Sequence, residues 1–240
     1  MKSEPNRHCE ATSELLFGES VLVLDQNSQW CKIRCLRDGY EGFVETAACG
    51  PTGLVATHWV STKATLVFES PDIKAPVVQR LLFGSELALS DVGDSGKFLE
   101  LGEGGFVWAA HCTNKNSPQK TSMIEVAQKN YLNAPYLWGG RSTDGCDCSG
   151  LVQMVAMANG VSIPRDSADQ EVALHSDIEY ARRSADDLVY WPGHVGLLMS
   201  KDTLLHATAY SMRCCIEPLS EVVERAGFPS SVKRLKKHEN

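Results

Sequence analysis

Asp147-Cys148-Ser149-Gly150 stands directly before the apolar run Leu151-Val152-Gln153-Met154-Val155-Ala156-Met157, and a cysteine in that place has chemistry open to it. At the first turn of a helix a thiol meets the positive end of the helix dipole and backbone N–H groups without intrahelical partners, both of which favour thiolate over thiol. Such a cysteine becomes a nucleophile when a base lies within hydrogen-bond reach and a third group orients that base. Two histidines fall in neighbouring apolar runs, His194-Val195-Gly196-Leu197-Leu198-Met199 and Thr203-Leu204-Leu205-His206-Ala207-Thr208. The runs read as strands joined through Ser200-Lys201-Asp202. A connection symmetric about Ser200 sets His194 and His206 opposite each other on one face, whereas a two-residue turn at Lys201-Asp202 sets them off register.

Those side chains need a scaffold. Helical periodicity is present over Thr121 to Lys129, Ser149 to Ala158 and Ser167 to Leu174, the second stretch ending at Asn159-Gly160. Helices followed by an antiparallel hairpin make an α+β domain. The first half of the chain has a different texture and repeats itself. Leu15-Leu16-Phe17-Gly18-Glu19 returns as Leu81-Leu82-Phe83-Gly84-Ser85-Glu86, and Gly42-Phe43-Val44 as Gly105-Phe106-Val107. Short alternating runs such as Ser20 to Leu24 and Trp30 to Arg34, broken by Asp, Asn and Gly, predict two small β-barrels from one duplicated module. The expected division is 1–50 and 51–115 for the modules and 116–240 for the α+β domain.

A formal net charge of -7 over 240 residues argues against nucleic acid or an anionic membrane as partner, and suits a cationic or zwitterionic small substrate. Lys233-Arg234 and Lys236-Lys237 read as a solvated basic tail. No apolar leader opens the chain and no run approaches the ~18 apolar residues of a membrane span, so the expected location is cytoplasmic. Nine cysteines, an odd number without disulfide spacing, are expected to be reduced. Neither Cys146/Cys148 nor Cys214/Cys215 has metal-ligand spacing; no metal and no cofactor are expected.

Taken in order, Pro135-Tyr136-Leu137-Trp138-Gly139-Gly140, Asp147-Cys148-Ser149-Gly150-Leu151-Val152, Ile163-Pro164-Arg165-Asp166-Ser167, Gly193-His194-Val195-Gly196 and Leu205-His206-Ala207 resemble the successive motifs of NlpC/P60 cysteine peptidases. The resemblance implies a papain-like core in which Cys148 attacks, His194 is general base and acid, and His206 orients His194. The duplicated module resembles the bacterial SH3-like (SH3b) domains that precede the peptidase in one branch of that family. Members of that branch recycle murein peptides, cutting after γ-D-glutamate in L-Ala-γ-D-Glu-diamino acid substrates whose N-terminal alanine is free. The likeness implies that the first SH3b domain closes one end of the cleft; a monomer is expected, with the oligomeric state left open by the sequence.

Carried over by residue, Asp147 and Ser149 would bind the alanine backbone and amine with help from Tyr40, and Glu14, with Glu19 as its rival, would supply a second acid. Glu19 belongs to the repeated turn, where Glu86 is its near-counterpart, which suggests a structural role. Tyr136, Arg165, Asp166 and Ser167 match cleft-lining positions, Tyr136 as a donor near the oxyanion. Asp166 and Ser167 would meet the D-glutamate α-carboxylate region or simply cap the following helix ahead of Glu171. Trp138-Gly139-Gly140 reads as structural. The rival readings are a lytic endopeptidase acting on intact peptidoglycan and a non-catalytic SH3b binding module.

Overall fold

The computed structural model describes residues 1–50, 54–91, 96–117 and 121–235. The first region is built on a three-stranded antiparallel sheet, Val21–Gln26, Trp30–Cys35 and Glu41–Glu45 in that order. Alternation in Trp30–Cys35 turns Cys31, Ile33 and Cys35 inward, where Cys31 and Ile33 pack with Val44, Leu15 and Val21. The middle region holds a five-stranded sheet and a three-stranded one, around a core of Val60, Val67, Leu81, Leu87, Leu101 and Val107.

The two copies of the repeat meet each other. Phe17 O accepts the Glu86 N–H at 2.8 Å, and Gly18 and Gly84 both adopt left-handed backbone, at φ 77 and 86. Arg37 lies between the copies, with Nε 3.1 Å from Glu19 and Nη2 2.6 Å from Glu86. Buried Arg141, from the C-terminal domain, joins Glu19 and lies 3.6 Å from Asp38. Glu19 is thus a structural junction, as its repetition suggests.

In the C-terminal domain Ser122 and Glu125 form a capping box ahead of α1 (Met123–Tyr131). Next come α2 (Cys148–Ala158), α3 (Ser167–Ala173) and α4 (Leu219–Ala226). A five-stranded antiparallel sheet runs in the order Arg213–Pro218, Thr203–Thr208, His194–Ser200, Asp187–Trp191, Ser231–Arg234. One face packs on α1 and α2 through Leu188, Tyr190, Val195, Leu197, Leu205 and Ala207. The other packs on α4 through Val189, Trp191, Leu198, Leu204, Leu219 and Val222. Sheet and helices make this domain α+β, and among the described residues no helix is long and apolar enough to cross a membrane.

Two sequence expectations need correction. The basic tail is partly structure: Lys233 and Arg234 lie in an edge strand, Lys233 paired with Asp177 at 2.6 Å and Arg234 forked onto buried Asp187 at 2.6 and 2.8 Å. Lys236 and Lys237 lie outside the described residues. The histidine hairpin also differs from both alternatives. Ser200 pairs Thr203 across the two-residue turn, which alone would put the histidines on opposite faces. A bulge between Leu198 and Ser200 then shifts the register, so that Leu198 pairs Leu204 and Leu197 pairs Leu205. Continued, this register sets Thr208 opposite His194, and His206 becomes its diagonal neighbour on the same face.

The docking of the two repeats generates a prediction. Gly18→Ala forces a Cβ into left-handed backbone and onto the Glu86 carbonyl, and is expected to cost roughly 1–3 kcal/mol. Gly50→Ala, where a Cβ meets nothing within 4 Å, is expected to leave the urea midpoint unchanged. Equal midpoints for the two variants would contradict the packing described.

Candidate active site

Cys148 is the first residue of α2, and Asp147 is its N-cap, accepting the Gly150 N–H at 2.7 Å. Cys148 Sγ lies 4.0 Å from the carbonyl oxygen of Gly193, the residue before His194. His194 Nε2 is 2.8 Å from His206 Nδ1, and His206 Nε2 is 2.8 Å from Glu217 Oε1. Arg225 on α4 closes the series, its Nη2 donating to Glu217 Oε2 at 2.9 Å. The carboxylate dictates the tautomers. Glu217 accepts from His206 Nε2–H, which leaves His206 Nδ1 to accept from His194 Nε2–H and leaves His194 Nδ1 as a free base.

Burial decides the charge state of the pair. It pushes the Cys148 thiol up to about 11, with the neighbouring Asp147 carboxylate adding to the shift. Backbone N–H groups of Val195 and Ser149 oppose it without prevailing. His194 is pushed down to about 4, first by burial and then by His206. Both shifts oppose the thiolate that the helix start favours, because desolvation outweighs the dipole. Burial also pulls Glu217 upward, yet hydrogen bonds from His206 and Arg225 hold it below the ordinary carboxylate range.

Asp147 does not stand open to a ligand. Arg165, itself buried, forks onto it with Nη1 at 3.0 Å from Oδ1 and Nη2 at 2.7 Å from Oδ2, and Gly139 N donates to Oδ2 at 2.9 Å. Ser149 is taken as well, its Oγ accepting from Arg165 Nη1 at 2.9 Å. The expectation that Asp147 and Ser149 receive a substrate amine meets two groups already committed to one guanidinium. Asp166 occupies the N-cap position of α3, but its side chain makes no capping bond. It is exposed and lies against Tyr40. Burial and then the Asp166 charge push the half-buried Tyr40 phenol upward. Ser167 is the first residue of α3 rather than its cap.

The first module lies along this side of the site. Trp138 Nε1 donates to Glu10 at 2.7 Å, Arg165 Nε donates to Ser13 Oγ at 3.2 Å, and Glu14 Oε2 accepts the backbone N–H groups of Arg141 and Ser142 at 3.1 and 3.0 Å. Glu14 therefore sits at the domain boundary, holding the loop that leads to Cys148. Tyr136 is half-buried, pushed up to about 12 by burial and then by Cys148 and Asp147, so its hydroxyl remains a donor beside the thiol. Glu217 and Arg225 went unread in the sequence. The signal was there: pairing His206 with Cys215 through a short hairpin at Tyr210 to Met212 places Glu217 two residues along the same face.

Comparison with known proteins agrees with this architecture. The NlpC/P60 family model matches residues 133–226, and the model of the bacterial dipeptidyl-peptidase SH3 domain matches residues 2–48. The chain is 28% identical to dipeptidyl-peptidase 6 of Lysinibacillus sphaericus, over 91% of this chain and 88% of that one. It is 28% identical to the gamma-D-glutamyl-L-lysine dipeptidyl-peptidase of Bacillus subtilis strain 168, over 88% and 77%. The crystal structure of an NlpC/P60 family protein from Bacillus cereus ATCC 10987 superposes with a TM-score of 0.80 at 20% identity, covering 93% of this chain and 81% of that one, so the likeness of fold runs through nearly the whole molecule. With a cysteine at the first position of α2 and an SH3 module against the loops that precede it, the chain combines an NlpC/P60 domain over residues 133–226 with a bacterial dipeptidyl-peptidase SH3 domain over residues 2–48.

Proposed function

We propose that the protein is a cysteine peptidase that hydrolyses the γ-D-glutamyl–diamino acid bond of small murein peptides with a free N-terminal L-alanine. The observation that carries the reading is the hydrogen-bonded series His194, His206, Glu217, Arg225, whose His194 follows Gly193, the residue whose carbonyl oxygen lies 4.0 Å from Cys148 Sγ at the first position of α2. The relatives of similar length act, by name, as dipeptidyl-peptidases, one of them on gamma-D-glutamyl-L-lysine. A second SH3-like barrel is proposed for the middle region, since its Gly84 turn repeats the conformation of Gly18.

In the proposed cycle His194 Nδ1 takes the Cys148 thiol proton as Sγ bonds to the γ-carbonyl carbon. The oxyanion is held by the Cys148 backbone N–H at the start of α2, with the Tyr136 hydroxyl as second donor. Collapse breaks the C–N bond, and the proton on His194 goes to the departing amine. Water then adds to the thioester, giving its proton to His194, and the thiol is regenerated as the acid leaves. His206, held by Glu217, keeps Nε2 of His194 occupied and leaves Nδ1 as the basic nitrogen. A neutral resting pair makes proton transfer part of the attack.

The substrate ammonium is assigned to Asp166 and Tyr40. An ammonium drawn into a cleft needs a carboxylate and further acceptors to offset its desolvation. Asp166 makes no capping bond and faces Tyr40, whereas Arg165 neutralises Asp147. Glu14 and the first module would close this end of the cleft against longer chains, which favours free peptides over intact peptidoglycan. Release of peptide from intact sacculi at the rate seen with free L-Ala-γ-D-Glu-diamino acid peptides would favour the lytic alternative.

Three outcomes test this reading. Cys148→Ala is expected to lower hydrolysis of L-Ala-γ-D-Glu-diamino acid by at least ~10³-fold. Asp166→Asn is expected to lower kcat/KM by about 10- to 100-fold on the free-amine peptide and to leave the slow hydrolysis of its N-acetyl form unchanged; equal losses on both would remove the assignment. Because protonated His194 cannot take the thiol proton, the acid limb of kcat/KM is expected near the lowered value of about 4. A limb at about 6.5, the ordinary histidine value, would contradict the lowered value of His194.

A further inference from the structure

We propose that His206, Cys215 and Glu217 form a binding site for a borderline-soft divalent cation such as Zn²⁺, and that filling it switches the peptidase off. The inference rests on His194 being the base. The site itself does not, because it is built from sheet register. His206 pairs directly with Cys215 across two strands, and Glu217 follows on the same face. Imidazole Nε2, thiol Sγ and carboxylate Oε1 all lie within 4.8 Å of one another, the one such group among the described residues. Metal-ligand spacing within the sequence, the basis for expecting no metal, does not register ligands brought together across strands.

Two of the three ligand separations are close to what a tetrahedral ion needs, and the third, between the His206 ring and Cys215 Sγ, lies within 4.8 Å. With Zn–N and Zn–O near 2.0–2.1 Å and Zn–S near 2.3 Å, neighbouring ligand atoms stand roughly 3.3–3.5 Å apart. Cys215 Sγ is already 3.4 Å from Glu217 Oε1. The 2.8 Å separation of His206 Nε2 and Glu217 Oε1 must open by about 0.5 Å, which rotation of the Glu217 carboxylate can supply. The donors are of mixed hardness, one nitrogen, one sulfur and one oxygen, which suits Zn²⁺ and disfavours Ca²⁺ or Mg²⁺. Thiolate and carboxylate together balance the charge of the ion, and the Cys215 thiol proton leaves to solvent.

The outer partners are in place. Arg225 holds Glu217 Oε2, leaving Oε1 for the ion, and His194 fixes the ring of His206 from its other nitrogen. The fourth position opens toward Ser211, an exposed residue whose Oγ is 3.4 Å from Cys215 Sγ and beside which a water can complete the coordination. An ion on His206 Nε2 moves that ring's proton to Nδ1. His206 then donates to His194 Nε2, whose own proton passes to Nδ1, the atom proposed to receive the thiol proton. The base is occupied without any change in total imidazole charge, and Cys148 keeps its proton.

Co²⁺, a spectroscopic stand-in for Zn²⁺, tests binding apart from catalysis. Titrated into the full chain carrying Cys148→Ala, Co²⁺ is expected to give thiolate-to-metal absorption and the visible bands of a tetrahedral site at one ion per chain. Adding Cys215→Ser to that variant is expected to abolish the thiolate band and weaken binding by at least ~100-fold, beyond the ~10–100-fold that outer-sphere partners are worth. No tetrahedral site in the Cys148→Ala protein, or an unchanged spectrum after Cys215→Ser, would overturn the site. With Cys148 intact, Zn²⁺ is expected to inhibit, and the inhibition to weaken at least ~10-fold in Cys215→Ser, each measured against its own metal-free rate. Tetrahedral Co²⁺ binding together with Zn²⁺ inhibition indifferent to Cys215 would overturn the switch, while loss of all activity in Cys148→Ala would still uphold the peptidase reading.

Discussion

The pairing of Arg165 with Asp147 is the interaction on which the rest of the site depends. Both side chains are buried, and each is satisfied only by the other and by its immediate neighbours. Asp147 caps α2 and holds the Gly139 N–H, while Arg165 also reaches Ser149, the Gly140 carbonyl and Ser13 of the first module. One ion pair therefore fixes the start of the nucleophile helix, the loop that passes beside it and the docking of the N-terminal domain. Removing either partner would strand a charge away from water, at a cost of roughly 3–5 kcal/mol. The same pair leaves a carboxylate beside Cys148 that helps to keep the thiol protonated.

A second constraint runs across the sheet. Two histidines 12 residues apart share a face only because the bulge before Ser200 corrects the register that a two-residue turn would impose. Helix α4 then supplies Arg225 to hold Glu217, and Glu217 sets the tautomers of both rings. A carboxylate and an arginine that touch no proposed substrate atom thereby determine which nitrogen of His194 is left basic. This is also where a metal would act most simply, since occupying one nitrogen reverses the whole series.

Much of this was legible in the chain. The Asp147-Cys148-Ser149-Gly150 start of a helix, the His194 and His206 strands and the repeated Phe-Gly turns all rest on local pattern, and the elements stand within a residue or two of where that pattern puts them. What escaped reading depends on contacts distant in sequence. Asp147 reads as an open carboxylate until Arg165, 18 residues away, is folded onto it. Cys148 reads as a thiolate until the burial of its surroundings is known. Glu217 becomes a partner of His206 only when the register of a third strand is fixed, and Asp166 reads as a helix cap until its side chain is seen turned to Tyr40 instead.

The central claim is that Cys148 carries the acyl group of the cleaved γ-D-glutamyl bond. It is tested most directly by mass spectrometry of enzyme quenched in acid during turnover of L-Ala-γ-D-Glu-diamino acid. A thioester of L-alanyl-γ-D-glutamate is expected on the peptide containing Cys148, present during turnover and gone when substrate is exhausted. Continued product release with Cys148 unmodified, or the acyl group found on another of the nine cysteines, would contradict it.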